Sequence, residues 1–246
     1  MDDEAALDVL RAEAAALAAA AAEGLDRTVG TYPTWTVADL VVHTGRIHRW
    51  VAGIVRDRVT VRPPQPEIVD RLRDPIAWFR AGAVEVADTL AATAPDTPVW
   101  TFVGDPTVAF WRRRMALETT IHRWDAQDAT GAPGPIMEDV AAAGVTEALE
   151  VYVEPSLRGA HVGGSGEVVG LQVPRTELRW VVQLRPDAVA IVNDGRRADV
   201  TVDAPARRLW LFLMSRAGRD VLSVDGSADA VERLERALAL LPTPSR

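Results

Sequence analysis

The apolar positions of this chain follow two rhythms. Up to about residue 152 they recur every three or four residues, the spacing of helices with one buried face. Beyond about residue 166 they condense into short runs rich in Val, Leu and Trp, separated by turn residues. Residues 4–23 are nearly all helix formers and stop at Gly24, a natural helix terminator. Residues 26–35, with Gly30 and Pro33, read as a loop. Thr36, with Asp39 three positions on, forms a capping-box pattern that opens a helix to about Arg56. Leu40, His43, Ile47 and Trp50 fall on one face of it, so His43 points inward. The Pro-rich residues 60–66 are a connection. Asp74-Pro75 is a cap followed by a first-turn proline, and starts a third helix to about residue 93. A long loop over 94–106 leads to a fourth helix, 107–129, and then a fifth, 137–152.

The second rhythm predicts strands over 167–173, 176–184, 188–193 and 198–203, with turn signals such as Arg185-Pro186-Asp187 and Asn193-Asp194-Gly195 between them. A helix opens at Asp203-Ala204-Pro205 and runs to about Ser215. Residues 221–224 suit one more strand, and 227–241 a closing helix. The fold class is α+β: an all-helical domain over 1–155, then a small α+β domain over 156–246.

Composition narrows the function. With 246 residues, 48% apolar and 25% charged, the chain can bury a full core. A net charge of −8 without a basic block disfavours nucleic acid and anionic membranes as partners. The N-terminus lacks the basic region of a signal peptide, and the nine apolar residues 14–22 are too few to span a bilayer, so a cytoplasmic protein is expected. The absence of cysteine removes disulfides, thiolate metal sites and a protein-borne thiol nucleophile.

Candidate chemistry concentrates in the fourth helix. Glu118 and His122, four residues apart, share one face one turn from each other. Such a pair is common on exposed helices and is a weak signal alone. Joined by the inward-facing His43, it becomes a three-ligand metal site with an open position. Two histidines and a carboxylate suit zinc, and equally non-haem iron. His48 falls on a different face from His43, and His161 lies in a Gly-rich, exposed stretch. Asp125 has two readings: an acceptor that orients a ligating histidine, or, more ordinarily, an ion-pair partner of Arg46 or Arg49. Arg112-Arg113-Arg114 reads first as a solvated face with salt bridges, and otherwise as a source of one arginine that meets an anionic substrate. Of the eight tryptophans, Trp35, Trp50 and Trp124 lie near the ligands in sequence and suit a pocket wall.

Two segments carry a resemblance. Trp35-Thr-Val-Ala-Asp-Leu-Val-Val-His43, followed by Gly45-Arg46 and His48-Arg49-Trp50, resembles the mycothiol-dependent maleylpyruvate isomerase family. Arg113-Arg-Met-Ala-Leu-Glu118-Thr-Thr-Ile-His122-Arg-Trp-Asp-Ala126 is similar to that family's other metal-ligand helix. Residues 200–216 look like its small C-terminal domain, itself similar to sterol carrier proteins. The resemblance implies a DinB-like four-helix bundle that binds a divalent metal, usually zinc, through His43, Glu118 and His122. It implies mycothiol, the thiol of actinobacteria, as cosubstrate. In the family's reaction the mycothiol thiolate adds to the cis double bond of maleylpyruvate, and rotation and elimination give fumarylpyruvate. A metal serves this by holding a thiol as thiolate at neutral pH.

The resemblance also implies an arginine from the small domain that binds a carboxylate. Arg216 is the nearest match and is assigned to catalysis, with Arg219 as its rival. Arg46, Trp50 and Arg219 are assigned to mycothiol binding. The expected function is a mycothiol-dependent isomerase or thiol transferase acting on a small electrophile. The alternative is a non-catalytic, metal-containing protein that binds an apolar ligand or a partner.

Overall fold

The computed structural model describes residues 1–64 and 72–242; residues 65 and 66 of the expected Pro-rich connection lie outside them. The chain divides into two compact units between Pro135 and Ile136. The first holds four long helices: α1 (Asp3–Ala22), α2 (Val37–Arg56), α3 (Pro75–Ala92) and α4 (Val108–Ala129). The expected caps are present. The Thr36 hydroxyl accepts from the Asp39 N–H while the Asp39 carboxylate accepts from the Thr36 N–H, and Asp74 caps α3 ahead of Pro75. The bundle core joins Leu17 and Ala21 of α1, Leu40 and Val41 of α2, Phe79 and Ala83 of α3 and Ala126 of α4.

Helices α2 and α3 approach closely at two glycines. A Cβ on Gly45 would sit 2.7 Å from the Trp78 ring, and one on Gly82 2.3 Å from Arg49 Nη1. The space is filled by Arg49, which stacks on Trp78 and donates to the carbonyls of Gly45 (3.0 Å) and Trp78 (2.6 Å). One expectation is corrected here. Residues 26–35 are not an irregular loop but contain a hairpin, β1 (Thr28–Val29) and β2 (Tyr32–Thr36). Gly30 and Pro33 signalled a break, yet proline is tolerated in so short an edge ribbon. The hairpin delivers Tyr32 and Trp35 to the bundle and ends directly in the α2 cap.

The second unit opens with α5 (Glu138–Glu147). A π-helical stretch over 148–153 and α6 (Glu154–Ser156) follow. The five-stranded sheet runs β5 (Ala188–Ile191), β4 (Arg179–Arg185), β3 (Val168–Gln172), β6 (Val200–Asp203), β7 (Ser223–Asp225), with only β3 and β6 parallel. Helices α7 (Ala206–Leu213) and α8 (Ala228–Leu238) complete the unit. The expected boundary at residue 155 placed the fifth helix in the first domain. Here α5 falls in the second unit and packs on α7, with Gly144 directly against the Trp210 indole, where a Cβ would lie 2.3 Å from the ring. Among the described residues no helix is long and apolar enough to cross a membrane.

The end of α7 carries backbone strain. The Arg216 N–H bonds the Leu211 carbonyl (2.7 Å) and the Ser215 N–H that of Phe212 (3.0 Å), a Schellman cap whose left-handed position is Ser215 at φ 58°. Glycine usually fills that position because a Cβ there is crowded. Ser215→Gly is therefore expected to stabilise the protein by about 1 kcal/mol in urea denaturation, from relief of the left-handed strain. An unchanged or lower midpoint would show that Ser215 is held there by something more than the cap.

Candidate metal centre

Helix α4 is the anomaly of the bundle. Arg112, Arg114, Glu118, His122, Arg123 and Asp125 are all buried on it. Buried charges need partners, and each has one. Arg112 donates to the carbonyls of Leu90 (3.0 Å) and Thr93 (2.8 Å), closing the C-terminus of α3. Arg123 pairs with Glu13 of α1 at 2.6 Å. The reading of residues 112–114 as a solvated face thus holds only for Arg113.

The remaining charges converge on the predicted ligands. Glu118 Oε1 lies 3.2 Å from His122 Nε2 and 3.6 Å from His43 Nε2. One ligand atom from each of the three residues falls within 4.8 Å of the others, and all three residues are buried. The two imidazole rings meet edge to face, 5.5 Å between centroids. Glu118 Oε2 turns the other way and accepts from Arg114, one turn earlier on α4. Trp35 walls the site beside His43, at 5.0 Å between rings, and Tyr32 lies 6.4 Å from the His122 ring.

Asp125 takes the orienting role, and of the two arginines expected to pair with it, Arg49 spends its guanidinium on backbone carbonyls. Its Oδ2 is 3.0 Å from His122 Nδ1, and its Oδ1 accepts from the Thr31 hydroxyl at 3.3 Å. Because an ionised carboxylate only accepts, His122 carries a proton on Nδ1 and can present Nε2 to a cation. At His43 the situation differs. Arg46 Nη2 lies 3.5 Å from Nδ1, and a guanidinium only donates. Ligation through Nε2 calls for a proton on Nδ1, so Arg46 must then turn from that nitrogen.

Protonation follows from these contacts. Burial alone would raise the Glu118 carboxyl, but the Arg114 charge, the His122 charge and hydrogen bonds from both histidines outweigh it and hold the group well below the usual carboxylate range. Burial alone would lower His122, but Glu118 and the Asp125 hydrogen bond raise it. Burial dominates at His43 and lowers it. In the absence of a cation, the His122 ring thus stands between two carboxylates, which favour a proton on Nε2. A cation among the three ligand atoms takes over that proton's place, and the donor set of two imidazole nitrogens and one carboxylate oxygen fits a divalent ion such as zinc. Asp125→Asn keeps the shape of the contact but lets the His122 ring settle in either tautomer. It is expected to weaken zinc binding about 10- to 100-fold in a competition titration; unchanged affinity would remove Asp125 from the site.

The surroundings of the other expected site residues differ. Arg46 is buried beside His43. Trp50 donates from its indole to the Pro64 carbonyl (2.9 Å) and packs with Trp100, Phe102 and Trp111 in an aromatic cluster. His48 is buried, with Nε2 on the Thr119 hydroxyl rather than on the triad, and His161 is exposed. In the second unit Arg216 is half-buried and donates to the Met214 carbonyl (2.7 Å). Arg219 is exposed and engaged with Glu232 (2.9 Å) and Glu235 (3.7 Å) of α8.

Neither Arg114 nor Tyr32 was expected beside the ligands. A signal for the first was available: Arg114, Glu118 and His122 follow one another at four-residue steps on one face. Tyr32 depends on the hairpin and had no such signal.

Residues 6–127 match the family model described as the mycothiol maleylpyruvate isomerase N-terminal domain. Among solved structures, the chain is similar to the crystal structure of the mycothiol-dependent maleylpyruvate isomerase, at 14% identity and a TM-score of 0.61, covering 92% of this chain and 93% of that one. A histidine-to-alanine mutant of that enzyme matches equally, with 14% identity and a TM-score of 0.61. At this identity the likeness is one of fold. A search of curated proteins finds no match.

Proposed function

The chain belongs, through residues 6–127, to the mycothiol maleylpyruvate isomerase N-terminal domain family, and from that membership we propose that it is a mycothiol-dependent metalloenzyme. His43, Glu118 and His122 hold a divalent ion, most simply zinc, and the reaction is an isomerisation or a thiol transfer on a small electrophile of the maleylpyruvate kind. The observation that carries the reading is the convergence of these three buried ligand atoms within 4.8 Å of one another.

When bound, the ion supplies Lewis acidity that keeps a thiol ionised at neutral pH. The chain's own residues do the rest. Asp125 fixes the His122 ring. Trp35 walls the His43 side of the site and helps exclude water. Charge supports an anionic guest. The groups touching the triad, Arg46 and Arg114 against Glu118 and Asp125, cancel. A divalent ion then leaves an excess of positive charge, which a thiolate and a carboxylate together neutralise. Arg46, once turned from His43, supplies a cation for that carboxylate within the first unit. In the second unit we assign carboxylate binding to Arg216, the position to which the family resemblance points.

The test is turnover by zinc-loaded protein of a panel of electrophiles, maleylpyruvate included, with and without mycothiol. Mycothiol-dependent consumption of at least one is expected. No turnover, together with no mycothiol affinity by calorimetry, would leave the non-catalytic binding protein as the better account.

A further inference from the structure

The two oxygens of Glu118 have different neighbours. Oε1 faces His122 Nε2 and His43 Nε2, at 3.2 and 3.6 Å. Oε2 faces away from them and is held by the Arg114 guanidinium. The pairing is built into α4, since the residues are four apart on the same helix and both side chains are about 8% exposed. Water therefore competes little for either partner, and the contact is not the weak, screened kind found on surfaces.

We propose that Arg114 confines Glu118 to one-oxygen ligation, and so keeps a coordination position open for the sulfur of a thiol. The proposal rests on the reading that the triad holds the metal. A carboxylate beside a cation can bind through one oxygen or chelate through two. Chelation here requires Oε2 to swing towards the ion and give up a buried, charge-assisted hydrogen bond from Arg114, which is costly. With Arg114 in place, an ion meets one oxygen and two nitrogens, the three-ligand set that leaves room for a guest. Without it, Glu118 would be free to chelate with both oxygens and, with water, to give a five-coordinate shell that crowds the place a thiolate needs. Arg114 is thus a positioning residue: it acts on the guest through Glu118.

Cobalt(II) is the probe, because its visible bands are strong in four-coordinate sites and weak in five-coordinate ones. Metal-free wild-type protein titrated with cobalt should show strong bands, and addition of 2-mercaptoethanol should add a sulfur-to-cobalt charge-transfer band. Arg114→Met should bind cobalt with weakened visible bands and take up the thiol about 10- to 100-fold less tightly, the scale of effects from groups one shell out from a metal. Arg114→Lys, which keeps a charged donor, should recover part of both. Cobalt and thiol binding unchanged in Arg114→Met would overturn the proposal while leaving the metal site intact. Failure of the wild-type protein to bind cobalt would overturn the metal reading and the proposal with it. Should Arg114→Met not fold, infrared spectra of wild-type protein decide. On cobalt addition the two carboxylate stretches of Glu118, identified by their loss in Glu118→Gln, should move apart, as one-oxygen ligation requires. If they draw together, Glu118 chelates and the proposal is wrong.

Discussion

Glu118→Gln is expected to lower zinc affinity by more than the roughly 100-fold that marks the upper end for outer-shell partners, and to abolish mycothiol-dependent turnover with it. Glutamine preserves the shape of the side chain but replaces an anionic ligand with a poor neutral one. Two further losses follow. The Arg114 guanidinium exchanges its contact with a carboxylate for one with an amide oxygen, and the His122 ring loses one of its two carboxylate neighbours. Leaving buried charges so poorly matched costs on the order of 3 kcal/mol or more in the metal-free protein. Zinc content by elemental analysis and a denaturant melt of the metal-free variant measure the two effects separately. A variant that keeps both its zinc and its stability would show that Glu118 is neither ligand nor counter-ion.

The second large effect belongs to His48. Its ring is fully buried between α2 and its neighbours, packed at 5.5 Å on Phe79. The Thr119 hydroxyl donates to the Met115 carbonyl at 2.7 Å, so it can only accept from His48, and Nε2 is therefore the protonated nitrogen. Nδ1 is left without a hydrogen-bond partner in the structure. Burial, the largest influence, lowers the group from 6.5 to about 3. A histidine depressed in the folded state gives a definite sign. Between pH 6.5 and 3 the unfolded chain takes up a proton at this position that the folded chain refuses, so stability falls as pH falls through that window. The full loss at this one residue is of the order of 4–5 kcal/mol. His43, also lowered, acts in the same direction, whereas His122, raised, contributes stability below pH 6.5 that is lost as pH rises through its folded value. Metal-free protein is thus expected to lose stability steeply in acid, and His48→Gln, which can still donate to Thr119 but does not titrate, to flatten the slope. Urea melts from pH 7 to pH 3.5 measure both; parallel slopes for the two proteins would place the acid sensitivity elsewhere.

Much of this site was legible in the sequence because helices report their own geometry. The four-residue step from Glu118 to His122, and the inward face that holds His43, needed only helical periodicity and a resemblance to choose among histidines. What was not legible came from tertiary contacts. Arg112 and Arg114 looked like a solvated run because neither the α3 carbonyls that Arg112 caps nor the inward aim of Glu118 Oε2 is visible in a linear pattern. Asp125 was read as an ion-pair partner for the same reason. The hairpin was missed because Gly30 and Pro33 read as breakers, although a two-stranded edge ribbon accommodates both. The fifth helix was placed with the bundle by sequence order, and only its close contact at Gly144 and Trp210 assigns it to the second unit.

The central claim is that His43, Glu118 and His122 hold a metal whose open position receives a thiol. X-ray absorption at the zinc edge, on zinc-loaded protein before and after addition of mycothiol, tests it most directly. The account predicts a first shell of nitrogen and oxygen alone before addition, and one sulfur at about 2.3 Å after it. A first shell unchanged by saturating mycothiol, or zinc that is not retained at all, would contradict it.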